Sequence, residues 1–413
     1  MKNVIVGQSG GPTSVINASL LGVYKQAKKL GAEKVYGMVY GIQGLMEGNI
    51  VDLDEYLLDK HNQELLRRTP SAFLGSCRFK LPEPALDEKT YQKIFDVLRD
   101  YDIDAFFYIG GNDSMDTIKK LSSYSSMIYG DRLFIGVPKT IDNDLAITDH
   151  TPGYGSACKY IATTLKELVR DGLVYQNPVI SVVEVMGRDA GWLTASASLV
   201  KGDDCEGVAM ILLPELPVDI DHFLNKVGEI VRQGKSAVIA VSEGVKVADG
   251  RYVCQLADEG TQKDPFGHVR LAGTSRFLAD LIAKTFGCRT KSMELSFMQR
   301  SASHCQSLVD VVEAEELGSY AVQLAHEDKC GVVATLVRTG NHPYSCKLDY
   351  SAVHHIANAV KKIPLEWIDG ENYQVKQELV DYIRPLVEGY LEPIWENGLA
   401  KHLILKKIST KTG

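Results

Sequence analysis

Three short segments of the 413-residue chain concentrate residue types that can handle phosphate. The first, Gly7-Gln8-Ser9-Gly10-Gly11-Pro12-Thr13-Ser14, precedes a helical stretch from Ile16. Consecutive glycines let backbone N–H groups approach an anion, and the helix behind them adds its positive end. The segment lacks the Gly-Lys-Ser/Thr of a Walker A loop and the spacing of a dinucleotide fingerprint, so taken alone it is equally a tight turn. The second is Gly110-Gly111-Asn112-Asp113-Ser114, in which Asp113 or Ser114 could simply cap a helix. The third, Pro138-Lys139-Thr140-Ile141-Asp142-Asn143-Asp144, sets a cation close to two carboxylates, and in isolation reads as a solvated turn. Together the three supply N–H donors, metal-binding oxygens, a cation and a base, the set that phosphoryl transfer requires.

Such groups work only if strands bring them to one place. Short apolar runs fall at Val4–Val6, Val35–Tyr40, Ala105–Ile109, Leu133–Val137, Val179–Val185, Val208–Leu213 and Ala237–Val241, each ending in a turn signal. Helical periodicity separates them. Ala157, Tyr160, Ile161, Leu165 and Leu168 share one helix face, and similar stripes occur around Leu20–Leu30 and Phe223–Val231. Alternation of this kind predicts an α/β protein with mainly parallel sheets flanked by helices on both faces. In such sheets ligands bind at the carboxyl ends of the strands, where all three segments lie.

Composition narrows the class. Hydrophobic residues make up 45% and charged residues 24%, as in globular proteins, and 45 Lys plus Arg against 53 Asp plus Glu give a net charge of −8. Nucleic acid is therefore not the expected partner. The eight cysteines form no C-x-x-C pair, which argues against a zinc ribbon or disulfide framework. The first residues hold only a three-residue apolar run, too short for a secretory leader, and no run is long enough to span a membrane. A reduced, cytoplasmic, soluble protein is expected.

At this level of detail the chain resembles the phosphofructokinase family. The likeness rests on Ser9-Gly10-Gly11, Phe73-Leu74-Gly75-Ser76-Cys77-Arg78, Gly110 to Ser114, Pro138 to Asp144, Met186-Gly187-Arg188, Pro214-Glu215 and Gln299-Arg300, in family order across about residues 4 to 310. It implies two Rossmann-like domains. A donor-binding domain is expected over 1–150 with a returning segment near 300–350, and a sugar-phosphate domain over 151–299 completed by a helical tail, 351–413. Within the family the pyrophosphate-using type is the closer likeness. Asp113 stands where ATP-dependent members carry Gly, and would repel the α-phosphate of a nucleotide. Lys139 stands where they carry a small residue, and its ammonium can partner a compact pyrophosphate. A local Asp113–Lys139 ion pair is the plainer alternative.

The resemblance implies reversible, Mg²⁺-dependent transfer from pyrophosphate to the 1-hydroxyl of fructose 6-phosphate, a glycolytic and gluconeogenic step, in a homodimer or homotetramer. By position, Asp142 is the expected base and Thr140 contacts the transferred group. Gly11, Arg78, Asp113 and Lys139 receive pyrophosphate, with Arg78 and Lys139 also catalytic. Asp113, Asp144 and Asn112 hold the metal. Met186, Gly187, Arg188, Glu215, Lys291 and Arg300 bind the sugar phosphate together with Thr140 and Asp142. Met186 reads equally as a core side chain, and Arg188 with Glu215 as an ordinary ion pair.

Some positions depart from the family pattern. Asn112 replaces a common Asp, a neutral amide for one negative metal or water ligand. Val179 replaces a common Arg and Phe297 a common His, a less basic 6-phosphate pocket that makes sedoheptulose 7-phosphate a second possible acceptor. Leu21 and Lys25 stand where nucleotide-regulated members carry Arg, so nucleotide control is not expected. An ATP-dependent kinase and a non-catalytic sugar-phosphate sensor are the rival readings; a nicotinamide oxidoreductase is disfavoured because G-x-G-x-x-G is missing. Beyond residue 350, helices are expected over Ser351–Lys362 and Tyr373–Tyr390, with His354 and His355 on the surface or in packing. Glu243-Gly244 reads equally as cleft lining or turn, and Asp264-Pro265-Phe266-Gly267-His268 as a loop before a helix over Val269–Phe286.

Overall fold

The structure, a computed structural model, describes residues 1–128, 132–174, 176–256 and 273–406. Two sheets form its centre. The first has seven strands: β1 (Asn3–Gln8), β2 (Lys34–Met38), β3 (Ile50–Asp52), β4 (Ile103–Gly110) and β5 (Leu133–Pro138), joined later in the chain by two more. The second sheet is parallel throughout and contains β6 (Val179–Val185), β7 (Met210–Leu212), β8 (Ala237–Ser242) and β9 (Arg289–Glu294) in the order β7-β8-β6-β9. The chain then returns to the first sheet through β10 (Val332–Asn341) and β11 (Tyr344–Ala352), completing the order β11-β10-β5-β4-β1-β2-β3.

The apolar character of the strands follows from burial on both faces. Val4, Val6, Phe107 and Ile109 face one core, packed by the helices Ile16–Lys29 and Leu308–His326, while Ile5, Phe106 and Tyr108 face another, packed by Glu88–Asp100 and Asn112–Ile128. The second sheet repeats the scheme. Val183 and Val185 lie against Ala157, Ile161 and Leu165 of the helix Tyr154–Gly172, and Ile180 and Val182 against Phe223, Leu278 and Ile282 on the opposite side. Where Ile16–Lys29 crosses Leu308–His326, a Cβ on Gly22 would lie 2.0 Å from the Glu315 carbonyl oxygen, and one on Gly318 2.1 Å from that of Ser19. Only glycine permits this approach.

Past residue 350 the two long helices expected from sequence are not formed. Ser351 and Ala352 complete β11, pairing with β10, and a short 3₁₀ turn at Val353–His355 gives way to a left-handed Asn358. His354 and His355 are exposed, their rings 4.1 Å apart. Within 373–390 only Gln377–Ile383 is α-helical, because Pro385 turns the chain into a 3₁₀ segment and Gly389 takes a positive φ. The helix expected from Val269 begins at Thr274 in the described residues; Asp264 to His268 and the positions up to 272 lie outside them. No helix of the described residues is long and apolar enough to cross a membrane, and none of the eight cysteines forms a disulfide.

Candidate active site

The first glycine segment leaves β1 as a loop braced from both sides. Ser9 N–H donates to the Ile109 carbonyl at 2.9 Å, Ser76 Oγ donates to that of Gly10 at 2.6 Å, and Thr13 Oγ1 accepts from Ile16 N–H at 3.0 Å. Two buried amides stand behind it. Asn17 Oδ1 accepts from Gln8 Nε2 and from Phe73 N–H, both at 2.9 Å, while Gln8 Oε1 accepts from Leu74 N–H at 2.9 Å. These bonds fix the segment that carries Arg78 into the same cleft as Gly11. A buried amide with all its partners permits one loop geometry and penalises the rest.

The other two segments arrive from neighbouring strands. β4 ends at Gly110 and the next helix begins at Asn112, so Asn112 and Asp113 occupy its first turn, with Asp113 exposed to the cleft. β5 ends at Pro138. Lys139, only 2% exposed, turns its ammonium under the glycine loop and donates to the Gly11 carbonyl at 2.7 Å. No ion pair joins it to Asp113 among the described residues, so the plainer alternative for that pair is not realised. Thr140 Oγ1 donates to Asp142 Oδ2 at 3.3 Å and accepts from Asp142 N–H at 3.1 Å, holding the carboxylate in place.

The resulting cleft of about 430 Å³ gathers Gly11, Arg78, Asn112, Asp113, Lys139, Thr140, Asp142, Asp144, Met186 and Arg300. Its charges are crowded. Burial pushes the Lys139 ammonium down to about 8, with Asp142 opposing the shift. Burial raises the Asp142 carboxyl against the Thr140 hydrogen bond and the Lys139 charge, and burial followed by the Asp142 charge lifts Asp144 to about 6. Arg300 is lowered by burial and then by Arg78, which faces it. An anion between the cations and a cation beside the carboxylates relieves both strains at once.

A divalent cation suits the second place. Asn112 Nδ2 donates to Asp144 Oδ2 at 3.4 Å. With its amide turned over, its nitrogen would instead donate to the carbonyls of Ile356 and Ala359, both at 3.3 Å, and free its oxygen toward Asp144. In that second orientation the Asn112 oxygen would join the carboxylates of Asp113 and Asp144, which line the same cleft, in an oxygen set that could hold Mg²⁺.

On the other wall, Met186 ends the run from β6 and lines the cleft, while the buried Gly187 and half-buried Arg188 that follow it in the chain are not part of that lining. Of the expected sugar-phosphate ligands, Met186 and Arg300 line the cleft and Gly187, Arg188, Glu215 and Lys291 do not. Glu215 Oε1 accepts instead from Gly191 N–H at 2.8 Å and Ile363 N–H at 3.3 Å, a backbone-clamping role, and no ion pair joins it to Arg188 among the described residues. Lys291 lies exposed on the edge strand β9, outside the cleft lining of its own chain. Arg300 sits further in than a distal phosphate contact requires, within 3.7 Å of a Cβ built on Gly11 and 4.2 Å over the Phe297 ring. Glu243, which sequence left equally as turn or lining, accepts from Gly187 N–H at 3.3 Å; burial, then the charge of Asp142, pushes it up to about 7. Its signal was its place just after the apolar strand Ala237–Ser242.

Comparison with known proteins identifies the family. The phosphofructokinase family model matches residues 3–325. A pyrophosphate–fructose 6-phosphate 1-phosphotransferase of Methylococcus capsulatus is 36% identical over 414 residues, covering 99% of this chain and 97% of the relative. Another of that name, from Rhodospirillum rubrum, is 38% identical over 391 residues, covering 93% and 94%. A crystal structure of pyrophosphate-dependent phosphofructokinase from Nitrosospira multiformis superposes with a TM-score of 0.87 at 33% identity, covering 99% of each chain. With glycine loops, paired carboxylates and near full-length likeness in agreement, the chain belongs to the phosphofructokinase family.

Proposed function

We propose that the protein transfers a phosphoryl group from inorganic pyrophosphate to the 1-hydroxyl of fructose 6-phosphate, releasing phosphate and fructose 1,6-bisphosphate, and that it does so reversibly. The observation that carries the choice of donor is the seating of Lys139 beneath Gly11, with Asp113 lining the same cleft. An ammonium there meets the oxygens of a short anion, and a carboxylate there repels a longer chain of phosphates.

In the reaction, the sugar 1-oxygen attacks the terminal phosphorus as the anhydride P–O bond breaks, and phosphate leaves with the bonding electrons. Asp142 takes the hydroxyl proton and later passes it to solvent. Thr140 keeps that carboxylate aimed. Arg78, Arg300, Lys139 and the Gly11 N–H receive the charge that spreads over the phosphoryl oxygens. Asn112, Asp113 and Asp144 would hold Mg²⁺, which supplies charge neutralisation across the phosphate oxygens. Met186, Gly187 and Arg188 orient the sugar phosphate, with Glu243 holding Gly187 through its N–H. Glu215 keeps one buried oxygen, without a partner among the described residues, for a sugar hydroxyl.

Lys291 on the open edge of β9 supports assembly as a homodimer or homotetramer in which it faces a neighbouring copy's cleft. Eight cysteines without a disulfide support a reduced, cytoplasmic setting. The test is a coupled assay of the purified protein with pyrophosphate or ATP as donor and fructose 6-phosphate or sedoheptulose 7-phosphate as acceptor. Turnover with pyrophosphate and fructose 6-phosphate is expected to dominate; turnover with ATP alone would overturn the reading.

A further inference from the structure

The segment past residue 350 lies beyond the part matched by the family model, which ends at 325, yet it reaches the centre of the molecule. Val360 pairs with Leu145 in an isolated antiparallel bridge, and Lys361 N–H donates to the Asp144 carbonyl at 2.8 Å. From the other wall, Trp192 Nε1 donates to the Lys361 carbonyl at 3.0 Å. The strap therefore runs between the loop that carries Asp142 and the half of the molecule that carries Met186.

Asn143 is the residue it grips. Asp142 and Asp144 both line the cleft, while Asn143 between them is fully buried and points away from it. Its φ of 53° is a left-handed conformation that a non-glycine residue keeps only when its surroundings enforce it. The side-chain bonds that enforce it come from the tail. Tyr382 Oη accepts from Asn143 Nδ2 at 2.9 Å and donates to the Asp149 carbonyl at 2.6 Å. The Lys361 ammonium donates to Asn143 Oδ1 at 3.2 Å, to the Thr148 carbonyl at 3.3 Å and to that of Asp149 at 2.6 Å. Both ends of the turn are thus tied to one lysine and one phenol.

We infer that Lys361 and Tyr382 are positioning residues for phosphoryl transfer: from behind Asn143 they hold the turn that aims Asp142 and Asp144 into one cleft. The inference rests on the phosphotransferase reading above. Neither residue lines the cleft, so substrate binding is not their task. Losing either lets the turn relax by a fraction of an ångström, a displacement that reaches kcat before KM.

Steady-state kinetics and thermal melting of the full chain with Tyr382→Phe, Lys361→Met and Lys361→Ala test this. For Tyr382→Phe we expect kcat to fall about tenfold, and for Lys361→Met about 100-fold, with both KM values within about threefold of the parent. Ethylammonium added to Lys361→Ala is expected to restore several-fold of the lost kcat, a rescue that a purely structural role does not give. Should Lys361→Met fail to fold, Tyr382→Phe decides. Folded variants with parental kcat, a loss confined to KM, or a lowered melting temperature with unchanged kcat would each overturn the inference. A parent protein inert with pyrophosphate would instead overturn the function reading on which it stands.

Discussion

On the donor side of the cleft each loop is braced from behind, whereas on the acceptor side the edge strand and the turn after it lie open. Lys139 is 2% exposed and bonded to Gly11, and Gln8 and Asn17 are fully buried; across the cleft, Phe297 is 68% and Met298 58% exposed beside the exposed Lys291. On the proposed reading, the short-anion site is built within one chain, whereas the sugar-phosphate site draws on a second surface.

The contrast can be broken at its centre first. Asp142→Ser is expected to lower kcat on the order of 10³-fold with little change in either KM, because a positioned base is lost; steady-state assays check it, and parental turnover would remove Asp142 from the base role. Lys139→Met follows, with kcat for pyrophosphate down about 100-fold, as one charge-stabilising donor in an enclosed site typically contributes. Lys291→Ala belongs to the open side. It is expected to raise KM for fructose 6-phosphate about tenfold while leaving that for pyrophosphate unchanged, the loss of one charge-assisted hydrogen bond. An effect on both KM values alike would erase the division between the two sides.

Two smaller effects concern rigidity. Gly318→Ala drives a methyl group into the Ser19 carbonyl oxygen, 2.1 Å from the built Cβ, and is expected to cost about 1–3 kcal/mol, seen as a melting temperature lower by several degrees. On the acceptor side, Glu243 is raised to about 7 by burial. A carboxyl with a raised folded-state pKa favours the fold while protonated, so that stability is full in acid and lost as pH climbs through about 7. Glu243→Gln keeps the oxygen that accepts from Gly187. Melting curves across this pH window are expected to show a fall of a few degrees in the parent that the variant lacks.

Much of the donor side is legible in sequence because its chemistry is local. Glycine pairs follow apolar strands, and Lys139, Asp142 and Asp144 sit within six residues, so motif and strand end coincide. What escaped is carried by long-range contacts. Strand β9 reads Arg-Thr-Lys-Ser-Met-Glu, with no alternation to announce it, because it lies at an edge with exposed faces. Glu215 carries the right charge in the right motif, but its Oε1 is taken by the N–H groups of Gly191 and Ile363, the latter 148 positions away, and only Oε2 is left without a partner among the described residues. Lys361 and Tyr382 stand 218 and 239 positions from Asn143, in a stretch whose composition suggested helices. A polar side chain that serves a distant turn leaves no periodicity behind.

The sharpest measurement is the ratio of kcat/KM for pyrophosphate to that for ATP, in the parent, in Asp113→Gly and in the double variant Asp113→Gly with Lys139→Gly. The parent is expected to use pyrophosphate and reject ATP; the single change should open a low ATP activity, and the double change should raise it further while pyrophosphate use collapses. If neither variant gains any turnover with ATP, Asp113 and Lys139 do not set the donor.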